Sequence, residues 1–211
     1  MNVMLKKTEH WLLIALVITV LSLIKTVFHD WVNWDDPVYI SENPLIKDIS
    51  LEGIKNMFAT DQVLGAYIPL VLLSWALDYA YGGLDPMVFH TTNLMLHLFN
   101  VGLVFYLVKS LAKRNEIAFI TALLFGMHPM HVEAVAWITA RKDLLYTLFF
   151  LCGLMAYQRY LKKDNTVKYF FILRIAYLLQ YNHLLTTISK YHKPLHHFAG
   201  GLLCFVLYLN N

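Results

Sequence analysis

Residues 11–28 read WLLIALVITVLSLIKTVF, an apolar run broken only by Thr19, Ser22, Lys25 and Thr26 and preceded by Lys6 and Lys7. A helix of this length crosses the hydrocarbon core of a bilayer. Its exit, Phe28-His29-Asp30-Trp31, has no small-x-small cleavage pattern, so the segment reads as an uncleaved signal-anchor and not as a removed leader. Outward from it, residues 89–108, 117–138 and 144–161 repeat the pattern. The expected fold is an all-α polytopic membrane protein, a partial helical bundle with a large first outer loop. Composition agrees, because 58% of the 211 residues are apolar and only 15% are charged, against roughly a quarter charged in soluble domains.

The charges set the orientation. Residues 29–66 hold seven acidic residues against two lysines, a net of −5. Lys109, Lys113 and Arg114 follow the second span, and Lys162, Lys163 and Lys168 follow the fourth. Positive-inside bias therefore puts the N-terminus and both basic connections in the cytoplasm and the acidic loop outside. The formal net charge of +3 is too small to suggest a nucleic-acid partner. Cys152 and Cys204 both lie in apolar stretches and form no disulfide framework.

Two interruptions shape the bundle. Residues 67–81 are apolar but contain Pro69 and Asp78 and end at Gly82-Gly83. Counting them as a span would reverse the parity of the basic connections, so they read as a helix at the outer interface, packed on the bundle. Pro129 interrupts the third span, and a kink there requires protein or water to satisfy the freed carbonyl. The chain thus divides into a signal-anchor (1–28), an outer loop with an acidic pair and interfacial helix (29–88), a three-span bundle (89–168) and a divergent or truncated segment (169–211).

Polar residues inside such a chain need a reason. Asp35 and Asp36 stand side by side beyond the first span; the pair is a solvated acidic loop, or one carboxyl has a raised pKa, or the two bind a divalent cation. His90, Asn93, His97 and Asn100 recur at spacings of three, four and three and share one helical face. They serve helix–helix hydrogen bonding or, less readily at that reach, metal binding. In the dense cluster of His128, Pro129, Met130, His131, Val132 and Glu133, a helix resuming after Pro129 would set Glu133, Trp137 and Arg141 four apart on one face. Arg141 is then an interfacial anchor or a phosphate ligand, with Glu133 as the group that holds it. The ten histidines also leave room for a metal site or transporter.

Several of these blocks occur in an order that resembles a known family. NWDDPVYI (33–40) with Asn43-Pro44, YIPL (67–70), LSW (73–75), LDY (77–79), GLDP (83–86), His90, Asn93-Leu94, Leu96-His97, HPMHVEAVAWI (128–138) and RKDLL (141–145) are similar to the N-terminal membrane part of tetratricopeptide-repeat-containing O-mannosyltransferase-like proteins, closest to their bacterial branch. The resemblance covers roughly residues 11–165. It implies a GT-C-type bundle and a glycosyltransferase that takes a mannose-like sugar from a polyprenyl-phosphate donor to a protein or glycan hydroxyl on the outer face. It also implies Asp35 as the base on the acceptor hydroxyl with Asp36 as its partner, and Arg141 and Lys142 on the donor phosphate. His90, Asn93, His97, His128, His131 and Glu133 would shape the pocket, with no metal ligand among them. The family continues through more spans, so the chain reads as the front part of an enzyme, inactive alone or completed by a separately encoded C-terminal half. The alternative is a non-catalytic membrane partner or scaffold. The motifs point to a bacterial inner membrane, or to the endoplasmic reticulum in a eukaryote.

Overall fold

The computed structural model describes residues 2–59 and 67–162, with side chains between Thr8 and Leu161. Every regular element among them is helical. Helix α1 (Asn2–Leu23) tightens at its end into the 3₁₀ turn Ile24–Phe28. Leu13, Ile14, Val17 and Leu21 stay exposed on it, as a lipid-facing surface requires.

The stretch that follows is not the solvated loop its charge suggested. Pro37–Ser41 forms a wide π-type turn and Pro44–Lys47 a 3₁₀ turn capped by the Asn43 side chain, which accepts from the Leu45 N–H at 3.0 Å. Helix α2 (Leu51–Ala59) comes next. Tyr39, Ile40, Ile46 and Met57 are all buried and pack with Val71, Leu72 and Trp75. Burying each such side chain is worth roughly 1.5–3 kcal/mol, so apolar residues spaced between the acids clamp this region onto the bundle while Asp30, Glu42, Asp48 and Glu52 stay exposed.

Helix α3 (Pro69–Gly82) begins on Pro69 and stops at Gly83, whose φ of +63° only glycine adopts without strain. Helix α4 (Pro86–Ala112) starts where Asp85 accepts from the Met87 N–H at 3.0 Å, with Pro86 in the first turn. It is the central helix, in contact with α1, with α3 and with the three helices that follow. Helix α5 (Asn115–Gly126) is only twelve residues long. After a 3₁₀ turn at Pro129–His131 the chain resumes as α6 (Val132–Ala136), bent by 51° from the preceding helix. A second 3₁₀ turn, Ile138–Ala140, leads into α7 (Arg141–Lys162).

Among the described residues, three helical stretches are long and apolar enough to cross a membrane: Thr8–Phe28, Pro86–Ala112 and Ile138–Leu161. The bent pair Asn115–Met127 and Pro129–Ala136 makes a fourth if counted as one broken span. The 14-residue α3 is not among them. One expectation of local geometry needs correcting. Trp137 is extended, so helix does not run from Glu133 to Arg141, and Glu133, Trp137 and Arg141 do not share a face. The segment 169–211 lies outside the described residues.

Candidate functional site

The stripe on α4 faces protein: His90, Asn93 and Asn100 are 0% exposed and His97 is 1% exposed. Three of the four bond to backbone carbonyls, two of them at helix breaks and the third in the first turn of α7. Asn93 Nδ2 donates to the carbonyl of Trp137 at 3.1 Å, and Asn100 Nδ2 donates to that of Leu144 at 2.9 Å. His97 Nε2–H donates to the Gly126 carbonyl at 3.0 Å, where α5 ends. His131 Nδ1–H reaches back to the Phe125 carbonyl at 2.7 Å. A helix broken at membrane depth exposes carbonyls that lipid cannot satisfy, and two imidazoles satisfy them here. His128 caps the 3₁₀ turn by accepting from the Met130 N–H at 3.2 Å, and Pro129 sits where no N–H is required. The spacing of the two histidines around Pro129 is thus the chemistry of a broken helix.

Gly126 matters for a second reason. A Cβ there would collide with the Thr19 hydroxyl of α1 and approach Val101 of α4 to 3.2 Å, so three helices meet on its bare backbone.

Arg141 is 0% exposed. Its Nη1 lies 2.6 Å from Asp78 Oδ2, Nε donates to Asn93 Oδ1 at 2.7 Å, Nη2 donates to the Phe89 carbonyl at 2.8 Å, and Nη1 also reaches Ser74 Oγ at 3.3 Å. The Phe89 ring lies 5.8 Å from its guanidinium carbon. The group expected on a donor phosphate is therefore turned into the bundle, where it ties α3 and α4 to the start of α7, and its partner is Asp78, not Glu133. Thr92 completes the set by donating to Asp78 Oδ1 at 2.7 Å. In the sequence Asp78 stands as an interruption of an apolar stretch, and a lone acid in an apolar helix is itself the signal of a buried partner. Lys142 is only half-buried, and its charge acts on Asp143.

The acidic pair divides its labour. Asp36 is 1% exposed; its carboxylate accepts from the Val32 N–H at 2.9 Å and from Trp137 Nε1 at 3.1 Å. Burial pushes its pKa above the ordinary 3.8, with those hydrogen bonds and Thr139 pulling the other way. Asp35 stays half-buried beside Tyr39, whose phenol is held above its ordinary range first by burial and then by the Asp35 charge. Both oxygens of Asp36 are engaged, and no group of three or more His, Cys, Asp or Glu among the described residues is arranged to hold a metal.

A cavity of about 210 Å³ opens between α4, the broken span and α7. His97, Asn100, His131, Glu133, Asp143 and Thr147 form its polar wall, with Phe125 among the apolar part. Of the expected pocket residues, His97, His131 and Glu133 line it, whereas His90, Asn93 and His128 do not.

No family model and no solved structure matches the chain. Among curated proteins it is similar to "Protein O-mannosyl-transferase TMTC1" of Mus musculus, 39% identical over 121 residues, which is 54% of this chain and 13% of that protein. "Protein O-mannosyl-transferase tmtc2" of Xenopus laevis is 42% identical over 95 residues, 45% of this chain and 11% of that protein. "Protein O-mannosyl-transferase TMTC3" of Homo sapiens is 36% identical over 102 residues, 48% of this chain and 11% of that protein. The matched region is thus a short piece of much longer relatives, and the chain is related over about half its length to the TMTC protein O-mannosyl-transferases.

Proposed function

We propose that the chain is the front part of a GT-C-type membrane glycosyltransferase that moves a mannose-like sugar from a polyprenyl-phosphate donor to a protein or glycan hydroxyl on the outer face. The observation that carries this reading is the clamp from Asp36 to Trp137, which fastens the acidic loop to the broken third span. It leaves Asp35 more accessible than Asp36, on a loop whose position is fixed. The names of the relatives supply the reaction class.

Asp35 acts as the base: it takes the proton of the acceptor hydroxyl as that oxygen bonds to the anomeric carbon and the bond to the lipid phosphate breaks. Asp36 positions the loop and does not touch substrate. Arg141 positions α7, and the negative charge that develops on the leaving phosphate falls to Lys142. The bacterial inner membrane is the proposed location, with the endoplasmic reticulum as the eukaryotic counterpart.

The test is sugar transfer from polyprenyl-phosphate mannose to an acceptor peptide by this chain joined to the remaining part of a full-length relative. Asp35→Asn should lower turnover by roughly 10²–10⁴ without loss of folded protein. Near-normal turnover would remove Asp35 as the base. A second reading is a non-catalytic membrane partner with the same front half. It requires that the joined protein transfer no sugar at all.

A further inference from the structure

We propose that His97, His131 and Met130 form a binding site for a soft monovalent cation, Cu⁺, in the cavity between α4, the broken span and α7. All three residues line that cavity. The site is independent of the glycosyltransferase reading and rests on how the broken helix fixes its two imidazoles. Each ring spends one nitrogen on a backbone carbonyl: His97 Nε2–H is given to Gly126 at 3.0 Å and His131 Nδ1–H to Phe125 at 2.7 Å. A carbonyl only accepts, so in each neutral ring the proton sits on the bonded nitrogen and the lone pair on the other, Nδ1 of His97 and Nε2 of His131. Metal-binding histidines are held in this way, the outer hydrogen bond setting the tautomer and raising the basicity of the ligating nitrogen. Sealed polar atoms without a partner do occur in the bundle, both nitrogens of His90 among them, but neither free nitrogen of this pair is one of them.

The ring centres of His97 and His131 lie 5.8 Å apart with the planes inclined by 63°. Two imidazoles on one ion, with metal–nitrogen bonds of about 2.0 Å, stand with their centres roughly 5–6 Å apart, so the spacing already suits a shared ion. The third group decides which ion. Among the described residues no third His, Cys, Asp or Glu joins the two imidazoles within reach of one ion. Glu133 and Asp143 of the same wall therefore contribute negative field and no bond. The wall offers the thioether of Met130 instead, next to His131 in the turn Pro129–His131 and 77% exposed, so that its flexible side chain is free to swing onto the ion. Thioether sulfur selects Cu⁺, whereas Zn²⁺ asks for four ligands where three stand ready. Both imidazoles bind as the neutral rings they already are, so no proton has to leave.

The experiment is an anaerobic titration of the 211-residue chain in detergent with Cu⁺ held by bicinchoninate, a chromogenic competitor, in a Cys152→Ala, Cys204→Ala background that removes both thiols. One Cu⁺ per chain should leave the competitor. Met130→Leu, at an exposed position, should weaken binding roughly ten- to a hundred-fold and remove the sulfur shell from the copper X-ray absorption spectrum. His131→Asn and His97→Gln keep an N–H for the Phe125 and Gly126 carbonyls but lack the second ring nitrogen, and each should cost a similar factor. Met127→Leu, outside the cavity wall, should change nothing. Met130→Leu decides the matter should either histidine variant not assemble. A chain that leaves all Cu⁺ with the competitor, or one that binds it equally well as Met130→Leu, overturns the site. So does displacement of the bound Cu⁺ by an equal concentration of Zn²⁺.

Discussion

Arg141 on α7 and Asp78 on α3 meet inside the bundle with 2.6 Å between charged atoms and no exposure of the guanidinium. Removing one partner of a buried pair leaves an uncompensated charge, so Asp78→Ala should destabilise the chain by roughly 3–5 kcal/mol. Arg141→Lys should fail to restore stability, because an ammonium cannot serve Asp78, Asn93 and Phe89 from one planar fork. The joint change Asp78→Leu with Arg141→Met should be milder than either single change. Thermal unfolding in detergent measures all three. An Arg141→Lys chain as stable as the native one would return Arg141 to the role of a surface anchor.

Burial of Asp36 gives a pH effect with a defined sign. Its folded pKa lies above the ordinary 3.8, so the carboxyl binds its proton more tightly folded than unfolded. The resulting contribution to stability is fully present below 3.8 and is lost as pH rises through the folded pKa. Asp36→Asn should flatten that part of the stability profile. A profile of unchanged slope in the variant would assign the titration to another group.

Gly126 is expected to tolerate no side chain. Gly126→Ala should cost about 1–3 kcal/mol through overpacking, since the new methyl meets the Thr19 side chain. Thr19→Ala in the same chain should recover most of the loss, a non-additivity that a double-mutant cycle reads directly. Additive losses would show that the α1–α5 approach is not set by this pair.

Orientation is testable in intact cells. In a background lacking Cys152 and Cys204, a membrane-impermeant thiol reagent should label Glu42→Cys, on the acidic loop, and spare Arg114→Cys, in the connection before α5. Both native positions are exposed, so access reflects the side of the membrane. The reverse pattern would invert the topology.

The spans were legible because lipid imposes a length and a composition that any reader can count. The stripe of His90, Asn93, His97 and Asn100 was legible as a face, and the structure buries all four. What each binds was not, since Asn93 and Asn100 bond to carbonyls more than forty residues away. Periodicity misled at Trp137, where an extended residue resets the helical phase and sends Glu133 and Arg141 to different neighbourhoods. The acidic loop misled for another reason: its net charge masks the buried Tyr39, Ile40, Ile46 and Met57, which decide where it packs.

The brevity of α5 reaches beyond the protein itself. Twelve residues rise roughly 18 Å, little more than half of the approximately 30 Å thickness of hydrocarbon. Starting from one membrane face, the helix gives out well short of the other, and the polar turn at Pro129 takes over where acyl chains should be. Counted as one broken span, the bent pair covers the remaining depth through α6, turned by 51°, and a bilayer meeting that turn thins or admits water only where neighbouring protein does not cover it.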